Sequence, residues 1–209
     1  SCTGGGAQAA TTTISSAPNP SSVGQSVTLT ATVVGANPTG SVTFVEGFST
    51  LGTVALTGGT ASLSTSALSG GTHSITASYT GDTNNLPSTS TAVTQTVNKT
   101  NSTTTVSSSA NPSSFGQPVT FTTTVSGSSP TGSVTFFDGA TQLGTATLSG
   151  GSATLTTSAL TSGSHSITAA YAGDTNNQSS TSSAVTQTVN KANSTTTVSS
   201  SANPSSFGQ

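Results

Sequence analysis

Two stretches of the chain each carry one histidine, one tyrosine and an Asp-Thr-Asn-Asn run: His73, Tyr79 and Asp82 to Asn85 in the first, His165, Tyr171 and Asp174 to Asn177 in the second. A histidine, an aspartate and any of the abundant serines are the ingredients of a nucleophilic triad. Their spacing argues against one. His73 opens an alternating run and Asp82 lies beyond its far end, about nine residues or nearly 30 Å away in an extended chain. A partly buried, hydrogen-bonded residue at a strand end is the better reading of His73, and of His165 with it. The Asp-Thr-Asn-Asn run is rich in oxygen, but calcium takes about 6–8 oxygen ligands, usually several of them carboxylates. One carboxylate per run points instead to a turn, in which Asp and Asn side chains bond their own backbone. No catalytic residue, metal ligand or cofactor is expected, and the chain is not expected to be an enzyme.

The other charges are as sparse. Only six side chains in 209 residues are charged: Glu46, Asp82, Asp138, Asp174, Lys99 and Lys191. With two lysines and no arginine there is no basic surface to neutralise phosphates, which argues against nucleic acid as a partner. No apolar run approaches the roughly 20 residues of a membrane-spanning helix, and the residues after Ser1 do not read as a basic-plus-apolar leader. Ser and Thr occupy 89 positions. Threonine is β-branched and suits a pleated, half-exposed strand, so low hydrophobicity here signals strands rather than disorder. Cys2 is the single cysteine, so no internal disulfide staples the fold.

These residues are positioned by a repeat. Asn19-Pro20 recurs as Asn111-Pro112 and Asn203-Pro204, His73 as His165, Tyr79 as Tyr171 and Lys99 as Lys191, always 92 positions on. Residues 11–102 and 103–194 are identical at 62 of 92 positions, and Asn193 to Gln209 repeat Asn101 to Gln117 without a change. A period of 92 suits whole small domains rather than solenoid units. Inside each repeat the apolar period is two: Val27, Leu29, Ala31, Val33; Val42, Phe44; Ala61, Leu63; His73, Ile75, Ala77, Tyr79; Val93, Val97. Gly, Pro, Asn and Asp punctuate these runs. About seven short strands per repeat at such spacing predict antiparallel β-sandwiches. The fold class expected is all-β, two tandem sandwiches with a 92-residue period.

The strings Asn-Pro-Ser-Ser-Phe-Gly-Gln-Pro-Val-Thr-Phe (111–121), Gly-Ser-Val-Thr-Phe-Phe-Asp-Gly (132–139), Gly-Ser-His-Ser-Ile-Thr-Ala-Ala-Tyr-Ala-Gly-Asp (163–174) and Gln-Thr-Val-Asn-Lys (187–191) closely resemble bacterial immunoglobulin-like repeat domains. The resemblance covers residues 11–191 and the fragment 195–209. It implies Ig-like sandwiches used in tandem in large secreted or surface proteins, and it brings no catalytic residues. The chain departs from antibody-type domains in having no Trp and no inter-sheet cysteine pair. The organisation expected is a flexible leader at 1–10, Ig-like domains at 11–99 and 100–191, and the first strand of a third repeat at 192–209.

In such a sandwich the last strand ends at one pole, and the loop before it lies at the pole where the next domain begins. Lys99 is therefore expected near Glu46 of its own domain and Asp174 of the next, as an interdomain contact. A lysine in this polar connector is a poor candidate for an isopeptide crosslink, which needs a buried Lys beside an acid. Cys2, followed by Thr3 and a Gly-Gly-Gly run, is a candidate for covalent attachment: an intermolecular disulfide, an idle thiol, or a lipidated cysteine, which Ser1 argues against. With so little charge to keep copies apart, self-association is expected, and residues 195–209 could supply a strand to a neighbouring domain. The function expected is a non-catalytic structural segment of a bacterial extracellular filament, stalk or adhesin at the cell surface. Its partners would be other copies or further repeats. The rivals are a carbohydrate- or surface-binding module, for which Phe48, Phe115, Phe137 and Phe207 are the aromatic candidates, and a passive spacer attached to an enzyme elsewhere in a longer chain.

Overall fold

A computed structural model describes residues 6–201 and 203–208. In the first repeat the alternating segments form β1 (Thr11–Ala17), β2 (Ser21–Ser22), β3 (Val27–Val34), β4 (Ser41–Glu46), β5 (Ser49–Ala55), β6 (Thr60–Thr65), β7 (Gly71–Tyr79), β8 (Ser88–Thr89) and β9 (Val93–Asn98). The second repeat follows as β10 (Thr103–Ser108), β11 (Ser113–Ser114), β12 (Val119–Ser126), β13 (Ser133–Asp138), β14 (Thr141–Thr147), β15 (Ser152–Thr157), β16 (Gly163–Tyr171), β17 (Ser180–Thr181) and β18 (Val185–Asn190). Each repeat thus has seven main strands and two short two-residue pairings.

Each repeat is a two-layer sandwich. A three-stranded sheet in the order β1-β3-β6 faces a larger one in the order β2-β9-β7-β4-β5, with β8 paired to β7; the second repeat has the same order. Within these sheets the pairs are antiparallel except β2 with β9 and β11 with β18. The opening segment therefore contributes β1 to the small sheet and β2 to the large one. Alternation in sequence becomes alternation in burial: Val27, Leu29, Ala31 and Val33 of β3 point inward, toward a core that includes Val42, Phe44, Ile75, Ala77, Tyr79 and Val97. The intervening hydroxyls face outward and pair across strands, Thr28 with Ser64 at 3.1 Å, Thr30 with Ser62 at 3.3 Å and Thr43 with Thr53 at 3.0 Å. Cross-strand hydroxyl pairs of this kind give a sheet lateral cohesion without charge.

Two strands per repeat escape a search for apolar alternation. β1 is Thr-Thr-Thr-Ile-Ser-Ser-Ala, held to β3 over seven residue pairs. β5 pairs with β4 at the edge of the large sheet and runs close over the core: a Cβ on Gly52 would sit 2.9 Å from Leu63 Cδ1. The expected first strand at 192–209 does not form among the described residues, and residues 192–199 are exposed and outside any strand. The physical reason lies in the pairing. β1 is held by β3 and β10 by β12, whereas no strand among the described residues pairs with 192–199.

Candidate functional site

The two poles of each sandwich carry the four carboxylates, and each of them is already engaged. At one pole, Gly81 with φ +81° turns the chain out of β7, and the Asp82 carboxylate gathers the loop that follows. One of its oxygens accepts from Thr39 N at 2.7 Å and Thr39 Oγ1 at 2.9 Å, and the other from Asn84 N, Asn85 N and Asn85 Nδ2, each at 2.8 Å. Asn85 is buried, with Oδ1 accepting from Ala36 N at 2.7 Å and Nδ2 donating to Ala36 O at 3.1 Å. Two loops 43 residues apart are thereby tied together. The bond from the Thr39 amide, with those from Asn85, Asn84 and the Thr39 hydroxyl, holds the Asp82 carboxyl well below its usual range against the opposing effect of burial. In repeat 2 burial alone would raise the Asp174 carboxyl, but bonds from Thr131, Asn177 and Asn176 outweigh it and lower it likewise. Tyr171 beside it is pushed up to about 12 by burial first and the Asp174 carboxylate second.

These carboxylates have the coordination of a turn. Five protein donors already occupy Asp82, and no cluster of three or more metal-ligating side chains occurs among the described residues. The histidines sit at the opposite pole. His73 is buried at the start of β7, with Nδ1 2.8 Å from Glu46 Oε1 and Nε2 2.8 Å from the Ser69 carbonyl. His165 repeats this with Asp138 Oδ2 at 2.6 Å and the Thr161 carbonyl at 2.8 Å. A carbonyl only accepts, so Nε2 carries its proton, while Nδ1 faces a carboxylate. For His165 the Asp138 bond first and the Thr161 carbonyl second raise the pKa, which favours the doubly protonated ring. Both nitrogens are therefore committed to acceptors, and neither is free to deprotonate a serine. Sequence separation concealed these pairs: Glu46 and His73 are 27 residues apart, and only the β4–β7 register, with Glu46 opposite Ile75, brings them together.

The interdomain residues fall as follows. Lys99 Nζ donates to the main-chain carbonyl of Asp174 at 2.6 Å. The Asp174 carboxylate is occupied by Thr131, Asn176 and Asn177, and the Glu46 carboxylate by His73. Beside Lys99, Gly70 N donates to Asn176 Oδ1 at 3.0 Å. Thr100, the next residue, is bonded in both directions to the second repeat, its amide to Asn176 O at 2.8 Å and its carbonyl from Gln178 N at 2.9 Å. Gln8 does the same at the start of repeat 1, with Asn84 O and Leu86 N. Lys191, the counterpart of Lys99, is exposed. Cys2 lies outside the described residues.

Ligand-sized depressions are shallow. Two equivalent grooves, about 530 Å³ beside Val33, Pro38 and Gly59 and about 670 Å³ beside Val125, Pro130 and Gly151, have no aromatic or charged side chain in their lining. Among the aromatic candidates, Phe48 is fully exposed but Ala140 stands in its place in repeat 2. Phe115 is 56% exposed, Phe137 lies half-buried in β13, and Phe207 is exposed.

A family model described as bacterial Ig-like domain (group 3) matches residues 13–98 and again residues 104–190. No curated protein sequence matches the chain. Among solved structures, the fibronectin(III)-like modules of Clostridium thermocellum CbhA are 18% identical, with 86% of this chain and 94% of that one covered and a TM-score of 0.36. The adhesin InvE of Yersinia pseudotuberculosis is 20% identical over 86% of this chain and 58% of that one, with a TM-score of 0.45. The mouse nectin-like molecule 4 ectodomain is 15% identical over 89% and 66%, with a TM-score of 0.34.

Proposed function

The chain belongs to the bacterial Ig-like domain family, group 3, and on that premise we propose that it is a non-catalytic structural segment of a bacterial cell-surface or extracellular stalk, filament or adhesin. The observation that carries this reading is the continuity of the repeats. Thr100 directly follows Lys99, and both are hydrogen-bonded to the second sandwich, so repetition adds length with little free linker. The committed state of every histidine and of Asp82 and Asp174 supports a scaffold over a reaction site. Negative-stain imaging of the native full-length protein tests it: thin beaded rods at the cell surface are expected. A compact particle, or an intracellular location, would overturn it.

A second reading rests on residues 192–209. Asn193 to Gln209 are identical to the stretch that forms β10 and β11, yet residues 192–199 lie exposed outside any strand. Such a segment can complete a third sandwich or add to the sheet edge of another copy. Sedimentation across a range of concentrations separates the two. Association that disappears when residues 192–209 are deleted supports addition between chains; a monomer at all concentrations opposes it. A carbohydrate- or surface-binding role is the weaker alternative, since Phe48 has no counterpart in repeat 2. Retention of the chain on immobilised glycans, lost in Phe48→Ala, would favour that role.

A further inference from the structure

The face of repeat 1 that meets repeat 2 consists of the Ser69-Gly70-Gly71 turn and Lys99. Gly70 N donates to Asn176 Oδ1 at 3.0 Å and Lys99 Nζ donates to Asp174 O at 2.6 Å. Both acceptors belong to one turn, Asp174-Thr175-Asn176-Asn177, which its own carboxylate holds in shape. That turn rests directly on Gly70. A Cβ at position 70 would fall inside contact distance of the Thr175 carbonyl oxygen and 3.0 Å from Lys99 Cγ. The backbone of Gly70 is not left-handed, so no positive φ calls for glycine; the closest obstacle to a Cβ is the Thr175 carbonyl of the neighbouring repeat, and the other is the flexible Lys99 side chain. The oxygen it would strike is main chain in a braced turn, which cannot swing aside as a side-chain tip would.

Repeat 2 has the same elements one period later; Thr161 and Ala192 replace Ser69 and Thr100, which bond through their main chain, and the change that matters for shape is at position 70. Lys191 matches Lys99 and Gly163 matches Gly71, but Ser162 stands where repeat 1 has Gly70. We propose that Gly70 makes the end of repeat 1 a socket for the Asp-Thr-Asn-Asn turn of the following repeat, and that Ser162 closes the matching socket of repeat 2. The surface fits one kind of partner: a repeat of this family that begins directly after the lysine and presents that turn. The junction at Lys99 is then held in one orientation, whereas a repeat that follows Lys191 meets a Cβ where its turn would seat and takes a different, less constrained orientation. Two junctions with the same Val-Asn-Lys connector (97–99 and 189–191) therefore differ in stiffness because of a single side chain. This proposal concerns two adjacent domains and does not depend on where the protein works.

Residual dipolar couplings on the two-repeat chain test it. In the native chain both sandwiches are expected to report one shared alignment tensor. In Gly70→Ser they are expected to report tensors of different magnitude, with amide shifts moving at Thr175 and Asn176. Serine is what repeat 2 itself carries at this position, so the sandwich accepts it, and unchanged couplings within each repeat check that. Gly70→Ala adds the Cβ without the hydroxyl and is expected to act alike. Asn176→Ala removes an acceptor without adding bulk and is expected to loosen the junction less. One shared tensor in Gly70→Ser, or different tensors already in the native chain, would overturn the proposal.

Discussion

The two repeats keep the same core by different residues. In repeat 1, Ile14 pairs across strands with Ala31; in repeat 2 the equivalent pair is Val106 with Thr123. The methylene lost at one member reappears as bulk at the other, and the Thr123 hydroxyl that comes with it donates to Thr105 O at 2.7 Å. Phe121 replaces Leu29, both fully buried, while Ala146 replaces Val54 in the same cluster. Volume-conserving exchange of this kind costs little. The poles differ in another way. Glu46 and Asp138 both reach a histidine, but Gly70 and Ser162 do not offer the next domain the same surface. The interior has drifted within a fixed volume, and the small differences with consequences are at the ends.

If the cores are equivalent but separate, each should fail alone. Phe121→Ala removes a fully buried ring and should destabilise repeat 2 by about 3–5 kcal/mol. Chemical denaturation followed by repeat-specific NMR signals should then show only the second transition moving. Equal movement of both would mean that the sandwiches unfold as one unit.

The loop clasps should come next. Asp82→Asn and Asp174→Asn replace an acceptor-only carboxylate that serves the Thr39 and Thr131 amides, and each should lower the melting temperature of its own repeat. Both carboxyls are depressed in the folded state. Their contribution is therefore fully present above the unfolded value, near pH 4, and is lost as pH falls through the folded one. Acid titration of the native chain should weaken both repeats together below about pH 4, and the Asn variants should lose that dependence.

A smaller change should make repeat 2 copy a defect of repeat 1. Gln187 Oε1 accepts from Ser108 Oγ, whereas Gln95 Oε1 is buried without a partner among the described residues. Ser108→Ala should cost repeat 2 about 1 kcal/mol, and the equivalent Ser16→Ala in repeat 1 markedly less.

The smallest effect expected is at His165. Its folded pKa is raised, so the stability it adds is complete below the unfolded value of about 6.5 and is lost as pH rises through the folded one. For a partly exposed pair this amounts to under about 1 kcal/mol. Asp138→Asn should abolish the decline of the repeat 2 melting temperature above neutral pH, a difference that calorimetry at pH 6 and pH 8 resolves.

The strands with apolar alternation were legible in the sequence, because Val27, Leu29, Ala31 and Val33 record a buried face directly. β5 was not, since its place is set by a neighbour rather than by hydrophobicity; β1 shows no apolar alternation and was expected only through the repeat, as the first strand of which 192–209 is a copy. The pole at which Lys99 sits followed from the order of strands. Its acceptor did not: a carboxylate is visible in a sequence as a charge, but a main-chain carbonyl is offered by every residue. Glu46–His73 and Asp82–Thr39 were hidden for a related reason, since both depend on which strands lie side by side. Gly70 resembles any other turn glycine until the neighbouring repeat is placed against it.

The switch of the opening segment between sheets has a consequence for load. β2 runs parallel to β9, with Ser21 opposite Val97 and Ser22 opposite Asn98, and Val23 N adds a bond to Asn98 O at 3.0 Å. The chain enters the domain through β1, passes next into β2, and leaves through β9. Tension applied along the array meets the β1–β3 pairing first, and once it reaches β2 it drags β2 and β9 past each other along their common axis. Their hydrogen bonds, slanted across the pull as in any parallel pair, are sheared together rather than unzipped one by one, so one of the shortest pairings in each sandwich is set across the line of force.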